Sequence, residues 1–338
     1  MDVEVPSATK TRPSAKIRRT PEFIETKRGK GGEKIIAIGD LHGDREMFWA
    51  IMLASKCVKM KKSGKKRVPA WIGKTNIVVC LGDTTDSMRP DIKLDKTSNW
   101  SVTPGERALQ YDILDLDNLA KQKGGRVMSI LGNHEIYAGQ TSNYCKNVDL
   151  ESYGPRGSRE AAFSPGGEMF NLFGETRNVL QIVGPCLFVH GSLVPEFMGL
   201  FPYLPGDTMK FVNGGMRDYL TGRKSKMPEW FSVSQRFMTN PLECRRYGFG
   251  DVNKKEVEQM LKTFPGDVRF MLLGHTVHPR ITRFGPVICT DVAISRAFGD
   301  KETDTIAEWC EIKGNNVNRC IFDKDGWVTK KKLITRKK

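Results

Sequence analysis

The stretch whose reading decides the fold is Ile35-Ile36-Ala37-Ile38-Gly39-Asp40-Leu41-His42-Gly43-Asp44. An apolar, largely β-branched run stops at a glycine. A carboxylate and an imidazole then follow, two residues apart. A run this short and this apolar suits a strand buried on both faces. The pattern recurs at 77–81, 127–131, 187–189, 270–273 and 287–290, in most cases followed by a glycine or histidine and a side chain able to bind metal.

Helical signals lie between these runs, at 46–55, 103–121 and 254–264. Thr103-Pro104-Gly105-Glu106 reads as a capping box with proline at the first helical position. Leu109, Ile113, Leu116 and Ala120 then form an apolar stripe. Alternating strands and helices predict an α/β domain of layered α/β/α type. Residues 192–240, rich in Met, Phe, Tyr and Trp, read as a mostly helical insertion.

The chain has 338 residues, enough for one large domain or two small ones. Residues 1–33 read as a flexible basic leader with no apolar core, and so not as a secretory signal. No apolar run approaches the roughly 20 residues of a membrane helix. The eight cysteines are scattered and never form Cys-x-x-Cys. They read as buried thiols of an intracellular protein, cytoplasmic or nuclear.

The net charge of +15 is unevenly spread. No acid occurs between Glu46 and Asp83, whereas eight basic residues do, from Lys56 to Lys74. The last residues add Lys330, Lys331, Lys332, Arg336, Lys337 and Lys338. Such blocks can attract nucleic acid, another polyanion or an acidic protein. With no aromatic residues among the tail lysines as stacking platforms, they read first as a solvated loop and a solvated tail.

Four of the five histidines, His42, His134, His190 and His275, sit just past the end of a predicted strand. In open α/β sheets that edge is where sites are built. Asp40, Asp83, Asp86, Asn133 and Glu135 share the same edges. The candidate ligand set is therefore Asp, His, Asp, Asn, His and His, drawn from five strand ends. Mixed Asp/Asn/His donors without cysteine favour Mn, Fe or Zn. A shared aspartate can bridge two such ions, and an ion pair clamps in-line attack on phosphorus.

Gly39-Asp40-Leu41-His42-Gly43, Gly82-Asp83-Thr84-Thr85-Asp86, Gly132-Asn133-His134-Glu135, His190-Gly191 and Gly274-His275-Thr276 occur in that order. They resemble the GDxHG, GDxxD, GNHE, HG and GHT motifs of the phosphoprotein phosphatases, within the calcineurin-like metallophosphatase superfamily. The segments LGNHEIY, LFVHGSLVPE, NPLECRRYG and DVAISRAFGD are similar to its Shewanella-like branch. The resemblance spans about residues 34–300.

The resemblance implies a calcineurin-like fold with a central β-sandwich over residues 34–323, flanked by the leader and a basic tail at 324–338. It implies a first metal ion on Asp40, His42 and Asp83. A second would sit on Asp83, Asn133, His190 and His275. A bridging hydroxide would attack the phosphorus, His134 would protonate the leaving oxygen, and Asp86 would orient His134. Arg245 and Asn133 would grip the phosphate, with Arg89 as the candidate stand-in, two residues later and so in a different direction, for the motif arginine replaced at position 87. The expected reaction is hydrolysis of phosphoserine, phosphothreonine or phosphotyrosine in proteins.

Two departures bear on that expectation. Ser87 stands where the motif carries a phosphate-gripping arginine, with Arg89 two residues further on. Glu243 stands where the family usually has an aromatic residue, and could repel a phosphate or pair with a neighbouring arginine. A nucleotide or diadenosine-polyphosphate hydrolase, or a catalytically weakened metal-binding scaffold, are the alternatives. His278 has no role in the motifs.

Overall fold

The computed structural model describes residues 17, 19–26, 33–64, 66–86, 105–138, 153, 158–201, 205–236, 238–295, 298 and 305–334. Two six-stranded sheets form its centre. One has the order β14-β13-β12-β2-β5-β6. Its strands are β2 (Ile35–Ile38), β5 (Ile77–Cys80), β6 (Arg126–Ser129), β12 (Thr305–Lys313), β13 (Asn316–Asp323) and β14 (Val328–Lys332). The other has the order β1-β7-β8-β9-β11-β10, from β1 (Phe23–Ile24), β7 (Gln181–Val183), β8 (Cys186–Phe188), β9 (Phe270–Leu273), β10 (Thr282–Phe284) and β11 (Val287–Cys289).

Each sheet carries a parallel trio: β2-β5-β6 in one, β8-β9-β11 in the other. These are the six runs read from the sequence as doubly buried strands. Side chains alternate across a strand, and the second sheet shows the result. Cys186, Phe188, Phe270, Leu272 and Ile288 join the core shared with the first sheet. Leu187, Val189, Met271, Leu273, Val287 and Cys289 join a second core. That core also takes in residues from the helices Glu168–Thr176, Pro205–Leu220, Glu229–Arg236 and Lys254–Lys262. The helices α1 (Arg45–Ala54) and α2 (Glu106–Lys121) contribute to the first core. The α/β layered sandwich is therefore the observed architecture.

Several expectations need correction. Strand β1 lies inside the expected leader and pairs with β7, and Thr20 is tied to the Glu175 and Thr176 carbonyls. A two-residue strand is too short to show a period. Strand β14 lies inside the expected solvated tail and pairs with β13, its lysines along a sheet edge. Charged edge residues of this kind discourage pairing with a further chain. The lysine-rich stretch after α1 is a hairpin of β3 (Val58–Ser63) and β4 (Lys66–Trp71), not a loop. Nothing in the structure supports a nucleic-acid contact there, and the hairpin's Trp71 is buried.

The capping box is also corrected. Helix α2 starts at Glu106, and the Glu106 carboxylate accepts the backbone N–H of Asp86 at 2.6 Å rather than capping its own helix. Residues 103–104 lie outside those described. The 192–240 segment holds the helices Pro195–Gly199, Pro205–Leu220 and Glu229–Arg236. The seven described cysteines are buried free thiols. Among the described residues no helix is long and apolar enough to cross a membrane.

Candidate metal centre

The carboxyl ends of both parallel trios converge on one cavity of about 180 Å³. Asp40 and His42 follow β2, Asp83 follows β5, and Asn133 and His134 follow β6. From the facing sheet come His275 after β9 and Asp291 after β11. Arg245 completes the lining. His190, after β8, is fully buried beneath it.

Asp83 lies at the centre. Its carboxylate forms one close group of possible ligand atoms with His42 and His134, and another with His190 and His275. His190 Nε2 is 3.1 Å from Asp83 Oδ2 and 3.0 Å from Asn133 Oδ1. On the outer side His190 Nδ1–H donates to the Leu81 carbonyl at 2.6 Å. His275 Nε2–H donates to the Glu243 carbonyl at 3.0 Å, which turns its other nitrogen to the site. Giving one ring N–H to a carbonyl fixes the tautomer and frees the opposite nitrogen as a donor to metal.

Asp40 lines the cavity but stays outside both close groups. Its Oδ2 accepts the His275 backbone N–H at 2.9 Å. Its buried Oδ1 has no hydrogen-bond partner among the described residues. Burial, then Asp291 and Asp83, push the Asp40 carboxyl well above its usual range. Burial would raise Asp83 as well, but His190, His134 and His42 hold it well below. Burial, with help from His190 and Arg245, depresses His275 to about 2. Three buried carboxylates, an orphaned carboxylate oxygen and two imidazoles anchored from behind fit divalent cations.

His134 makes the third contact that matters. Its Nδ1 lies 2.7 Å from Asp86 Oδ2, and its Nε2 is 3.9 Å from Asp83 Oδ2. The backbone is forced at these positions. His42, Asp83, Asp86 and His275 all take positive φ, which non-glycine residues rarely adopt and which concentrates at functional sites. The motif glycines meet a different need. A Cβ on Gly132 would collide with the Asp83 carboxylate, and one on Gly274 with the Asp40 carboxylate.

Most of the expected site residues meet here: Asp40, His42, Asp83, Asn133, His134, His190, His275, Asp86 and Arg245. Arg89 and Ser87 lie outside the described residues. Glu243 pairs with neither neighbouring arginine; it accepts from Gln235 Nε2 at 3.2 Å, and Arg246 pairs with Glu196. His278 is only half-buried and does not line the cavity; its N–H donates to the Asp291 carbonyl. Asp291 was missed. It follows β11 as the others follow their strands, so the strand-end rule would have found it. Glu135 was seen only as one polar residue at an edge. Its carboxylate accepts the backbone N–H groups of Gly132, Asp83 and Thr84 and pairs with Arg177 at 3.1 Å.

Residues 33–279 match the calcineurin-like phosphoesterase family profile. The chain belongs to that family. Its members are phosphoesterases, and this chain is accordingly a metal-dependent phosphoester hydrolase. Shewanella-like protein phosphatase 2 of Arabidopsis thaliana is 24% identical over 352 residues, covering 89% of this chain and 80% of that protein. A crystal structure of the cold-active protein-tyrosine phosphatase of a psychrophilic Shewanella superposes with a TM-score of 0.68. The identity is 19%, over 98% of this chain and 89% of that one. A second structure of a cold-active protein tyrosine phosphatase, at 1.1 Å, gives a TM-score of 0.67 at 18% identity, over 97% and 86% of the two chains. The calcineurin-like fold and the Shewanella-like resemblance read from the motifs are thus borne out.

Proposed function

We propose that this calcineurin-like phosphoesterase is a two-metal phosphoprotein phosphatase, acting on phosphoserine, phosphothreonine or phosphotyrosine. One observation carries the reading: Asp83 is shared by two pairs of imidazoles, and one of these, His134, leans on a second carboxylate, Asp86. Asp40, His42 and Asp83 would hold one ion, and Asp83, Asn133, His190 and His275 the other. Mn, Fe or Zn suits these donors. When bound, the ions supply charge neutralisation and acidify water for attack on phosphorus.

The chain's own residues do the rest. Asp86 holds His134 by Nδ1, leaving Nε2 to deliver a proton to the departing oxygen. Arg245 and Asn133 line the cavity and would steady the phosphoryl oxygens. Arg89 is the candidate for the phosphate contact that position 87 lacks. The tyrosine phosphatase named among the structural neighbours is the reason to keep phosphotyrosine among the substrates. The dinucleotide and scaffold alternatives have no specific observation in their favour. The full chain would be located inside the cell, where its reduced thiols are stable.

The test is hydrolysis of p-nitrophenyl phosphate, then of phosphoserine, phosphothreonine and phosphotyrosine peptides and diadenosine polyphosphate, with Mn²⁺, Fe²⁺ or Zn²⁺. Metal-dependent turnover of a peptide, abolished in Asp83→Asn, is expected. Turnover of the dinucleotide alone, or none with any metal bound, would overturn the reading.

A further inference from the structure

Behind the His134–Asp86 contact lies a buried cluster that the motifs do not predict. Asp86 has two carboxylate oxygens. Oδ2 faces His134 Nδ1 at 2.7 Å. Oδ1 accepts from Arg159 Nη2 at 2.6 Å. The same guanidinium reaches both oxygens of Glu106 at 3.3 Å. Glu106 accepts the Asp86 backbone N–H through Oε2, and the Tyr153 hydroxyl donates to its Oε1 at 2.7 Å. Asp86 and Glu106 have no exposed surface, and Arg159 is 3% exposed. The guanidinium also lies 4.6 Å from the centre of the Phe163 ring.

We infer that Arg159 is a positioning residue for proton delivery: it fixes the Asp86 carboxylate and, through it, the orientation of the His134 ring. The inference rests on His134 serving as the acid in the function proposed above. Two buried carboxylates side by side need a counter-charge, and a planar guanidinium can serve both at fixed angles. Held at Oδ1 by Arg159 and at its backbone by Glu106, the Asp86 carboxylate presents Oδ2 in one direction. Arg159 does not replace the arginine missing at position 87. Both of its carboxylate partners are buried, and it does not line the cavity.

The experiment compares phenyl phosphate, whose leaving oxygen needs a proton, with 2,4-dinitrophenyl phosphate, whose leaving oxygen does not. The Mn²⁺-loaded full chain is assayed as wild type, Arg159→Gln, Arg159→Lys and His134→Asn, with metal content and melting temperature recorded. For Arg159→Gln, kcat on phenyl phosphate should fall about 10–100-fold at unchanged KM, part of the roughly 10²–10⁴ a positioned acid contributes. The dinitrophenyl ester should lose less than about threefold, since it gains little from an acid. His134→Asn should show the same asymmetry more strongly, and Arg159→Lys should recover part of the loss.

Equal losses on both esters, or losses that track metal content, would overturn the inference. Should Arg159→Gln fail to fold, Arg159→Lys carries the comparison through a partial asymmetry. Should the wild type hydrolyse neither ester, the proposed function fails instead. Positioning is then read, in the diamagnetic Zn²⁺-loaded protein, from the downfield proton resonance of the His134–Asp86 hydrogen bond. Its loss in the Arg159 variant would support the inference, and its persistence would end it.

Discussion

Glu135 holds Asp83 by its backbone: the carboxylate oxygen of one accepts the N–H of the other at 2.9 Å. The same carboxylate takes the N–H groups of Gly132 and Thr84 and faces Arg177. It therefore ties the loop after β5 to the loop after β6, and the position of Asp83 depends on it.

Glu135→Ala should destabilise the fold by about 3–5 kcal/mol, since it leaves the buried Arg177 charge without its carboxylate counter-charge and three N–H groups without an acceptor. Urea unfolding measures this. A loss below about 1 kcal/mol, the size of a typical single hydrogen bond, would show that the clasp is dispensable.

Gly132→Ala should act on the metal as well as on the local fold. The new methyl group must displace the Asp83 carboxylate and also meets the Asp83 backbone nitrogen. Metal affinity should drop by about 10–100-fold, as it does when a group that orients a ligand is lost. Calorimetric titration with Mn²⁺ checks it, and wild-type affinity would refute the steric reading.

Asp291→Asn should change sign with metal content. Burial, joined by the Asp83 charge, pushes the Asp291 carboxyl up, so an ionised carboxylate there is unfavourable without a cation. The metal-free variant should melt above metal-free wild type, while the variant should hold metal more weakly. Lower melting in both states would mean that Asp291 only supports the loop, through its bond from the Ala293 N–H at 2.9 Å.

Glu311 links stability to pH away from the site. Burial alone would raise its carboxyl, but Lys330 and Lys34 together bring it below its ordinary value of 4.5. A depressed folded pKa contributes stability that is present above 4.5 and lost as pH falls through the folded value. Acid titration of the metal-free protein should therefore lose less stability below that pH in Lys34→Met/Lys330→Met than in wild type. Parallel titration curves would reject the linkage.

The six strands of the parallel trios were legible because each is apolar on both faces and ends in a glycine or a polar residue. The candidate ligand residues were legible for the same reason. Strands β12 and β13 were not, since Glu308 and Glu311 interrupt the apolar pattern of β12. Their charges are met by Arg319 from β13, Lys34 before β2 and Lys330 from β14, and no period can show a partner that distant. Glu106 was misread because its helical position suggested a cap, whereas its real partners, Asp86 and Arg159, are 20 and 53 residues away. Asp291 was legible by the rule already in use, but the rule was not carried past the last strand.

The two parallel trios have a consequence beyond placing ligands. Neither sheet holds both candidate donor sets, since Asp40, His42, Asp83 and Asn133 follow strands of one sheet while His190 and His275 follow strands of the other. Cations at this seam would act as rivets between two slabs. Sliding one slab on the other would dismantle the catalytic centre before either slab lost its own hydrogen bonds. Small shifts in the packing between the sheets, from temperature or from distant core substitutions, would then register first as released metal and only later as unfolding.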